Sequence, residues 1–442
     1  MMADAERQVK EDVDNLRKVA LRHGLEPGDV EFKVVPRRAM VEFGAYILPF
    51  RYSHWTFGKE YGKLQKFHDL GLVEILEMVI NSDPSRAFLL DSNTRIENQM
   101  VIAHVFAHCD FFRNNYWFSK TNRGILETEQ ANERRIRELE HEVGAREVER
   151  VLDTALSLQW YVDFYGQFKQ EKPRAKLTAG GGGPSDNGGN GERDLLKFVA
   201  EHARLKPHEK EILSIVRDEA FYFLPNAMTK IMNEGWATYW HAQLMKDALP
   251  FEQFDSYAIR HAHLMGAQGL NPYKLGVSLY ESIVEETDAR MGRGAGRERL
   301  FEVRKFDDDV SFIRNYLTQK VCDEAGMFLY EEDPKTGERT VTSTDVNDVR
   351  ASLVNELTNF GKPVIHAKSA DHNRQGELYL VHQFDGRELD LDYAADVLRN
   401  LHGFWRKTIH LESVVEDDKI LLSFNGEKAG ITKIGKWEKP KE

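Results

Sequence analysis

The chain has 442 residues, 41% hydrophobic and 30% charged, a folded globular composition long enough for one large and one smaller domain. Its formal net charge of -12 excludes the basic footprint of a general nucleic-acid binder. Two cysteines, Cys109 and Cys322, cannot build a disulfide framework and fit a reducing compartment. The start, "MMADAERQVKEDVDNLRKVA", is charged throughout and has no apolar stretch of a secretory signal. No window approaches the ~18 apolar residues of a membrane span, so the expected location is the cytoplasm.

Val9, Val13, Leu16, Val19, Ala20 and Leu21 recur at helical spacing and predict an amphipathic helix over 5–23. "VEFKVVP" (30–36) alternates and ends at a proline, which predicts a strand, and "RAFLLDSN" (86–93) reads as a second. Between them "RYSHWTFGKEYGKLQKF" (51–67) is aromatic and irregular. A helix is expected from Asn98 to Asn115, and one long charged helix or two over 126–166, with the charge runs on a solvated face.

"LTAGGGGPSDNGGNGERD" (177–194) has neither the G-K-[ST] ending nor the preceding strand of a phosphate loop, so it reads as a flexible loop. "MGRGAGRER" (291–299) fails as a dinucleotide fingerprint on similar grounds. Helical pattern resumes at Asp194, and Pro225 is expected to interrupt it and start the next helix. Asn271 and Pro272 make a good N-cap and first helical residue. After about residue 350 the texture becomes strands, in "KPVIHAKSA", "GELYLVHQF", "TIHLESVV", "KILLSFNG" and "GITKIGKWE", around one helix, "DYAADVLRNLHGFWRKT". The expected fold is mainly α: a helical core over 1–345 with a flexible glycine-rich loop at 177–193, then a small α+β domain over 346–442.

Chemistry concentrates in "NQMVIAHVFAHCDFF" (98–112), where His104 and His108 stand four apart in an apolar run. At ~100° per residue, His108, Glu97 and Asn115 fall within about 40° of His104, while Asp110 lies on another side. In "IMNEGWATYWH" (231–241), Glu234 and His241 share a face, and Gly235 leaves room for a close neighbour. Two polar stripes on otherwise apolar helices predict a shared buried site of zincin-like, two-helix type. Burying a lone carboxylate costs several kcal/mol, and one divalent ion held by two imidazoles and a carboxylate removes that cost collectively. His104, His108 and Glu234 are therefore the expected ligands of a divalent metal, zinc by ligand type.

Two imidazoles from one helix and a carboxylate from a later one are the ligand set of many zinc peptidases. The general base of H-E-x-x-H is missing, because Val105 stands in its place. Glu97, His241 or Glu234 is left to supply it, with His241 as ligand, base or hydrogen-bond donor. His54, His261 and His263 read as structural or supporting histidines, and Cys109 as core. A di-metal oxidase would need a second E-x-x-H besides "ELEH" (138–141), and none lies on a buried stripe.

The ordered segments "RYSHWTFGK" (51–59), "VINSDPSRAFLLDSNT" (79–94), "VIAHVFAHCDFFRNN" (101–115), "TKIMNEGWATYWH" (229–241), "NPYKLG" (271–276) and "FIRNYLTQ" (312–319) resemble the SpoVR family, the stage V sporulation protein R-like proteins. "GELYLVHQFDGREL" resembles the family's tail domain. The resemblance implies a bacterial protein linked to sporulation and the spore cortex, or to stress responses in bacteria that do not sporulate. It further implies association with a PrkA-like serine kinase and a von Willebrand A-type protein. It supplies no settled mechanism. Two readings stand: a metal-dependent amide or peptide hydrolase, or a non-catalytic scaffold or regulator with a structural metal or polar network.

Overall fold

The computed structural model describes every residue except Met1, Ile47, 49–50, Gly58, 61–62, 64–76, 169–190, 267–270, 333–336 and 439–442. Most of the glycine-rich stretch 177–194, and part of the aromatic stretch 51–67, lie outside the described residues. The amphipathic start is helix α1 (Met2–Arg22), followed by strand β1 (Val30–Val35), helix α2 (Arg37–Tyr46) and strands β2 (Glu77–Ile80) and β3 (Ser85–Leu90). Helix α3 (Arg95–Asn114) begins three residues earlier than the apolar pattern implies. Thr94 and Glu97 form a reciprocal capping box there, and its polar residues hide the helix start from a hydrophobicity reading.

The charged stretch splits into α4 (Ile125–Val143) and α5 (Ala145–Ser157) at Gly144, whose φ of 93° is open to glycine. Asp194 caps α6 (Leu195–His202). Helix α7 (Pro207–Met228) runs through Pro225, and α8 (Lys230–Ala248) starts only after Thr229, so Pro225 does not open the next helix as expected. The break falls one turn later, where the Thr229 hydroxyl donates to the Pro225 carbonyl at 2.7 Å.

Next come α9 (Phe254–Met265), α10 (Pro272–Met291, capped by Asn271 as expected), α11 (Ala295–Phe306), α12 (Asp309–Tyr316) and α13 (Gln319–Ala325). A hairpin, β4 (Leu329–Glu332) and β5 (Arg339–Ser343), was not legible in the sequence; it precedes α14 (Val346–Leu357). Strands β6 (Ile365–His372), β7 (Glu377–His382), β8 (Ile409–Val415), β9 (Asp418–Phe424) and β10 (Ala429–Lys436) follow, with α15 (Leu391–Trp405) between β7 and β8. The architecture is mainly helical with a C-terminal five-stranded sheet. Among the described residues, no helix is long and apolar enough to cross a membrane.

The chain forms two compact units, each built from two segments: 1–133 with 225–360, and 134–224 with 361–442. In the first, β1 pairs parallel with β3, and β2 pairs antiparallel with β3 on the other side. Helices α3 and α8 are the centre of its core. From Met100 to Phe112 every residue of α3 is buried, and α8 is buried from Ile231 to Thr238. A helix that is apolar nearly all round must be enclosed on all sides, so polar groups on it are enclosed too. Helix α10 crosses α8 where Gly235 meets Gly276.

Buried charge ties these helices together. The Asp110 carboxylate accepts from Arg304 Nη1 at 2.6 Å, Trp236 Nε1 at 3.0 Å and the Glu26 backbone N–H at 2.7 Å. Arg304→Met strands that carboxylate and is expected to cost about 3–5 kcal/mol, measured by denaturant unfolding. A cost under 1 kcal/mol would show that the pair is dispensable.

Asp309, at the start of α12, accepts from the backbone N–H groups of Ile231 and Met232, both at 2.8 Å, and so caps the first turn of α8. Burial pushes its carboxyl up to about 8, against those two donors. An unfolded Asp titrates near ~4, so between that value and about 8 the folded chain alone holds the proton. Stability from this group is therefore full at low pH and is lost as pH rises through that window. Wild type is expected to lose stability relative to Asp309→Asn between pH 5 and pH 8, read by urea midpoints at each pH. Parallel midpoints would refute it.

In the second unit the sheet order is β10-β9-β8-β7-β6, with β7 and β8 parallel through α15 and the other neighbours antiparallel. Burial alternates along β7 and β9, and Leu398, Leu401, Phe404 and Trp405 of α15 are its buried side.

Candidate metal centre

Helix α3 carries His104 and His108 one turn apart, and α8 carries Glu234 opposite them. His104 Nε2 lies 3.5 Å and His108 Nε2 3.4 Å from the same atom, Glu234 Oε2. The three side chains are 4%, 5% and 11% exposed, so water does not solvate the carboxylate. Those distances are long for hydrogen bonds, and Glu234 Oε2 is buried without accepting one. They do fit another geometry: two atoms bound to one tetrahedral ion at 2.0–2.1 Å sit ~3.3–3.4 Å apart. One ligand atom from each of the three residues lies within 4.8 Å of the others. The residue types and spacing fit a divalent ion.

Each imidazole is aimed by a partner on its other nitrogen. His108 Nδ1 is 2.9 Å from Asn233 Oδ1, an acceptor, so Nδ1 carries the proton and Nε2 offers its lone pair toward Glu234. His104 Nδ1 is 2.9 Å from His241 Nδ1, and His241 Nε2 is 2.9 Å from His261 Nδ1 on α9. One proton per ring satisfies this row: His104 donates to His241, and His241 donates to His261. Burial, then the charges of His104, His261 and His108, hold His241 well below the usual imidazole range, consistent with a neutral ring. Burial would raise the Glu234 carboxyl, but the polar contacts with His104 and His108 and the charges of His108 and Lys230 hold it well below the ordinary carboxylate range. Lys230 Nζ lies 2.5 Å from Glu234 Oε1.

His104, His108 and Glu234 thus converge, and His241 stands behind His104 rather than on the carboxylate. Glu97 does not join them. Its Oε2 accepts from the Thr94 N–H at 2.6 Å and its Oε1 pairs with Arg260 at 2.5 Å, because a capping-box glutamate is turned back to the helix start. Asn115, counted on the His104 face, lies past the end of α3, accepts from the Trp117 N–H and donates to the carbonyls of Arg304 and Asp307. Asp110 faces away, as the wheel requires. Cys109 is fully buried, and burial pushes its thiol up to about 12. Glu138 and His141 of "ELEH" sit on an exposed surface, with Glu138 paired to Arg135.

Two contributors were missed, Lys230 and Asn233. Lys230 is one turn before Glu234, so the angular count that grouped Glu234 with His241 also finds it. Asn233 is adjacent in sequence and ~100° away, which the stripe argument discards although an asparagine reaches that far. His261, read as a structural or supporting histidine, lies behind His241. A second histidine–carboxylate group, Glu147, His208 and Glu209, has Arg150, Lys206 and Arg406 on its carboxylates. Three cations already neutralise it, so it reads as a charge network.

The model of the SpoVR like protein family matches residues 4–180 and 184–362, and that of the SpoVR-like C-terminal domain matches residues 363–416. "Uncharacterized protein YcgB" of Escherichia coli (strain K12) is 27% identical, over 92% of this chain and 91% of that protein. No solved structure matches. The histidine helix, the Glu-Gly-Trp helix and strands β6 to β8 of the C-terminal sheet lie inside the matched segments, and the chain belongs to the SpoVR family.

Proposed function

We propose that this chain is a divalent-metal-dependent hydrolase of an amide or peptide bond, with His104, His108 and Glu234 as metal ligands and zinc as the resident ion. The observation that carries the reading is one buried carboxylate oxygen, without a hydrogen bond, 3.4 and 3.5 Å from two imidazole nitrogens. A bound zinc would polarise a carbonyl and bring the pKa of its water from ~15.7 toward ~7. The protein's own part is positional. Asn233 and His241 hold the two imidazoles with their lone pairs inward, which fixes ligand geometry before any ion arrives. Glu97 is engaged at the helix cap and both nitrogens of His241 are taken by His104 and His261, which leaves Glu234 as the base candidate and gives His241 the part of positioning His104.

The low exposure of the ligand side chains favours a second reading, in which the ion is structural and the protein is a scaffold or regulator. In that reading the partners are a PrkA-like serine kinase and a von Willebrand A-type protein, in sporulation, cortex formation or a stress response in the cytoplasm. One experiment separates the two. The purified protein is stripped by chelator, reloaded with zinc and screened against N-acyl amino acids and short peptides. Zinc-restored turnover that Glu234→Gln lacks supports the hydrolase. Full zinc occupancy with no turnover of any probe supports the scaffold.

A further inference from the structure

Lys230 breaks two local rules at once. It is the first residue of α8, where the helix dipole disfavours a cation, and it stands four residues before its glutamate, the weaker order for such a pair. The neighbouring cap does not explain it, since Asp309 already serves the Ile231 and Met232 N–H groups and Thr229 makes no side-chain cap bond. Its local return is electrostatic, since its charge favours the ionised forms of the buried Glu234 and Asp309. Positions that break local rules are where functional constraint is expected.

What Lys230 does have is a place between solvent and the buried carboxylate. Its side chain is 59% exposed, while Glu234, which it touches at 2.5 Å, is 11% exposed. The two oxygens of Glu234 divide: Oε1 faces the ammonium, and Oε2 faces His104 and His108. Lys230 is therefore one carboxylate width from the point between the three ligands and open to solvent on its other side. Two nearby guanidinium groups are already taken, Arg260 by Glu97 and Arg304 by Asp110.

Charge then decides the role. Without an ion, Lys230 neutralises Glu234. With a dication beside two neutral imidazoles and one carboxylate, the centre is net positive before Lys230 is counted. The ammonium is then repelled by the ion and has a half-shared partner, which suits it to an incoming anion.

We propose that Lys230 is a specificity residue that binds a carboxylate carried by the substrate next to its scissile amide. This rests on the metal-hydrolase reading above. It assigns the substrate class as acyl amino acids or peptides with a free carboxylate within a residue of the bond cut. Lys230 is also a competitor of the ion for Glu234.

The test uses the full chain loaded with cobalt(II), whose visible absorption reports ligands reaching the ion. Hippurate, with a carboxylate beside its amide, is titrated against neutral hippuramide. Wild type is expected to bind hippurate about tenfold more tightly, the effect of one charge-assisted contact. Lys230→Met should reduce that preference to within about twofold and Lys230→Arg should restore it. Cobalt itself should bind Lys230→Met at least as tightly as wild type. A tenfold preference that survives Lys230→Met, or no preference in wild type, overturns the inference and leaves the metal reading standing. Failure of wild type to take up cobalt overturns both.

Discussion

His104→Ala is expected to leave the protein without bound divalent metal and without the stabilisation that zinc gives wild type. Two imidazoles and a buried carboxylate bind an ion far better than one imidazole and the carboxylate. The histidine is the one whose Nδ1 partner, His241, is fixed in turn by His261. Binding to the folded state alone stabilises it by about 4 kcal/mol at a zinc concentration a thousand times Kd. Wild type should show that rise in urea midpoint on adding zinc and lose it on adding chelator, whereas His104→Ala should be indifferent to both. Metal content by elemental analysis is the independent readout. Equal zinc per chain in wild type and His104→Ala would falsify the ligand set. His104→Gln keeps most of the side-chain volume and separates metal loss from cavity cost.

Gly276→Ala should be strongly damaging for the addition of one methyl group. A Cβ there would lie 2.4 Å from the Ile231 carbonyl oxygen and 2.5 Å from Gly235 Cα; one on Gly235 would lie 2.4 Å from Gly276 Cα. All of these neighbours are backbone, so no side chain can turn aside and the two helices must separate. Overpacking of this kind costs about 1–3 kcal/mol or more, and with backbone on both sides the upper part of that range is expected. Ile231 and Glu234 share one turn of α8, so the same shift should move the carboxylate away from His104 and His108 and weaken zinc binding. Gly276→Ala with wild-type stability and wild-type zinc affinity would show that the crossing is looser than drawn. Gly292→Ala is no control, because its φ of 99° strains any side chain.

The elements most legible in the sequence were those whose cause is local. The apolar period of α1, the alternation of β1, the Asn271–Pro272 start of α10 and the five C-terminal strands follow from residues a few positions apart. Pro225 is the exception: a proline's missing N–H predicts a helix end, but α7 carries it on to Met228. The β4–β5 hairpin is mostly exposed, so its burial pattern has nothing to alternate against.

For the site, composition and spacing determined that His104 and His108 share a face and that Glu234 leads another stripe. Period and residue type alone decide that, and the acidic, cysteine-poor composition is equally a property of the chain. Only the tertiary structure decided that the stripes face each other and that both imidazoles approach a single oxygen of Glu234. It also decided that His241 backs His104, that Glu97 is a cap and that Lys230 pairs with the other oxygen of Glu234. The reason is distance along the chain: His104 and Glu234 are 130 residues apart, and their approach depends on a glycine pair in α8 and α10 that lets two backbones touch. Helical period fixes which way a side chain points; close packing between helices fixes what it points at.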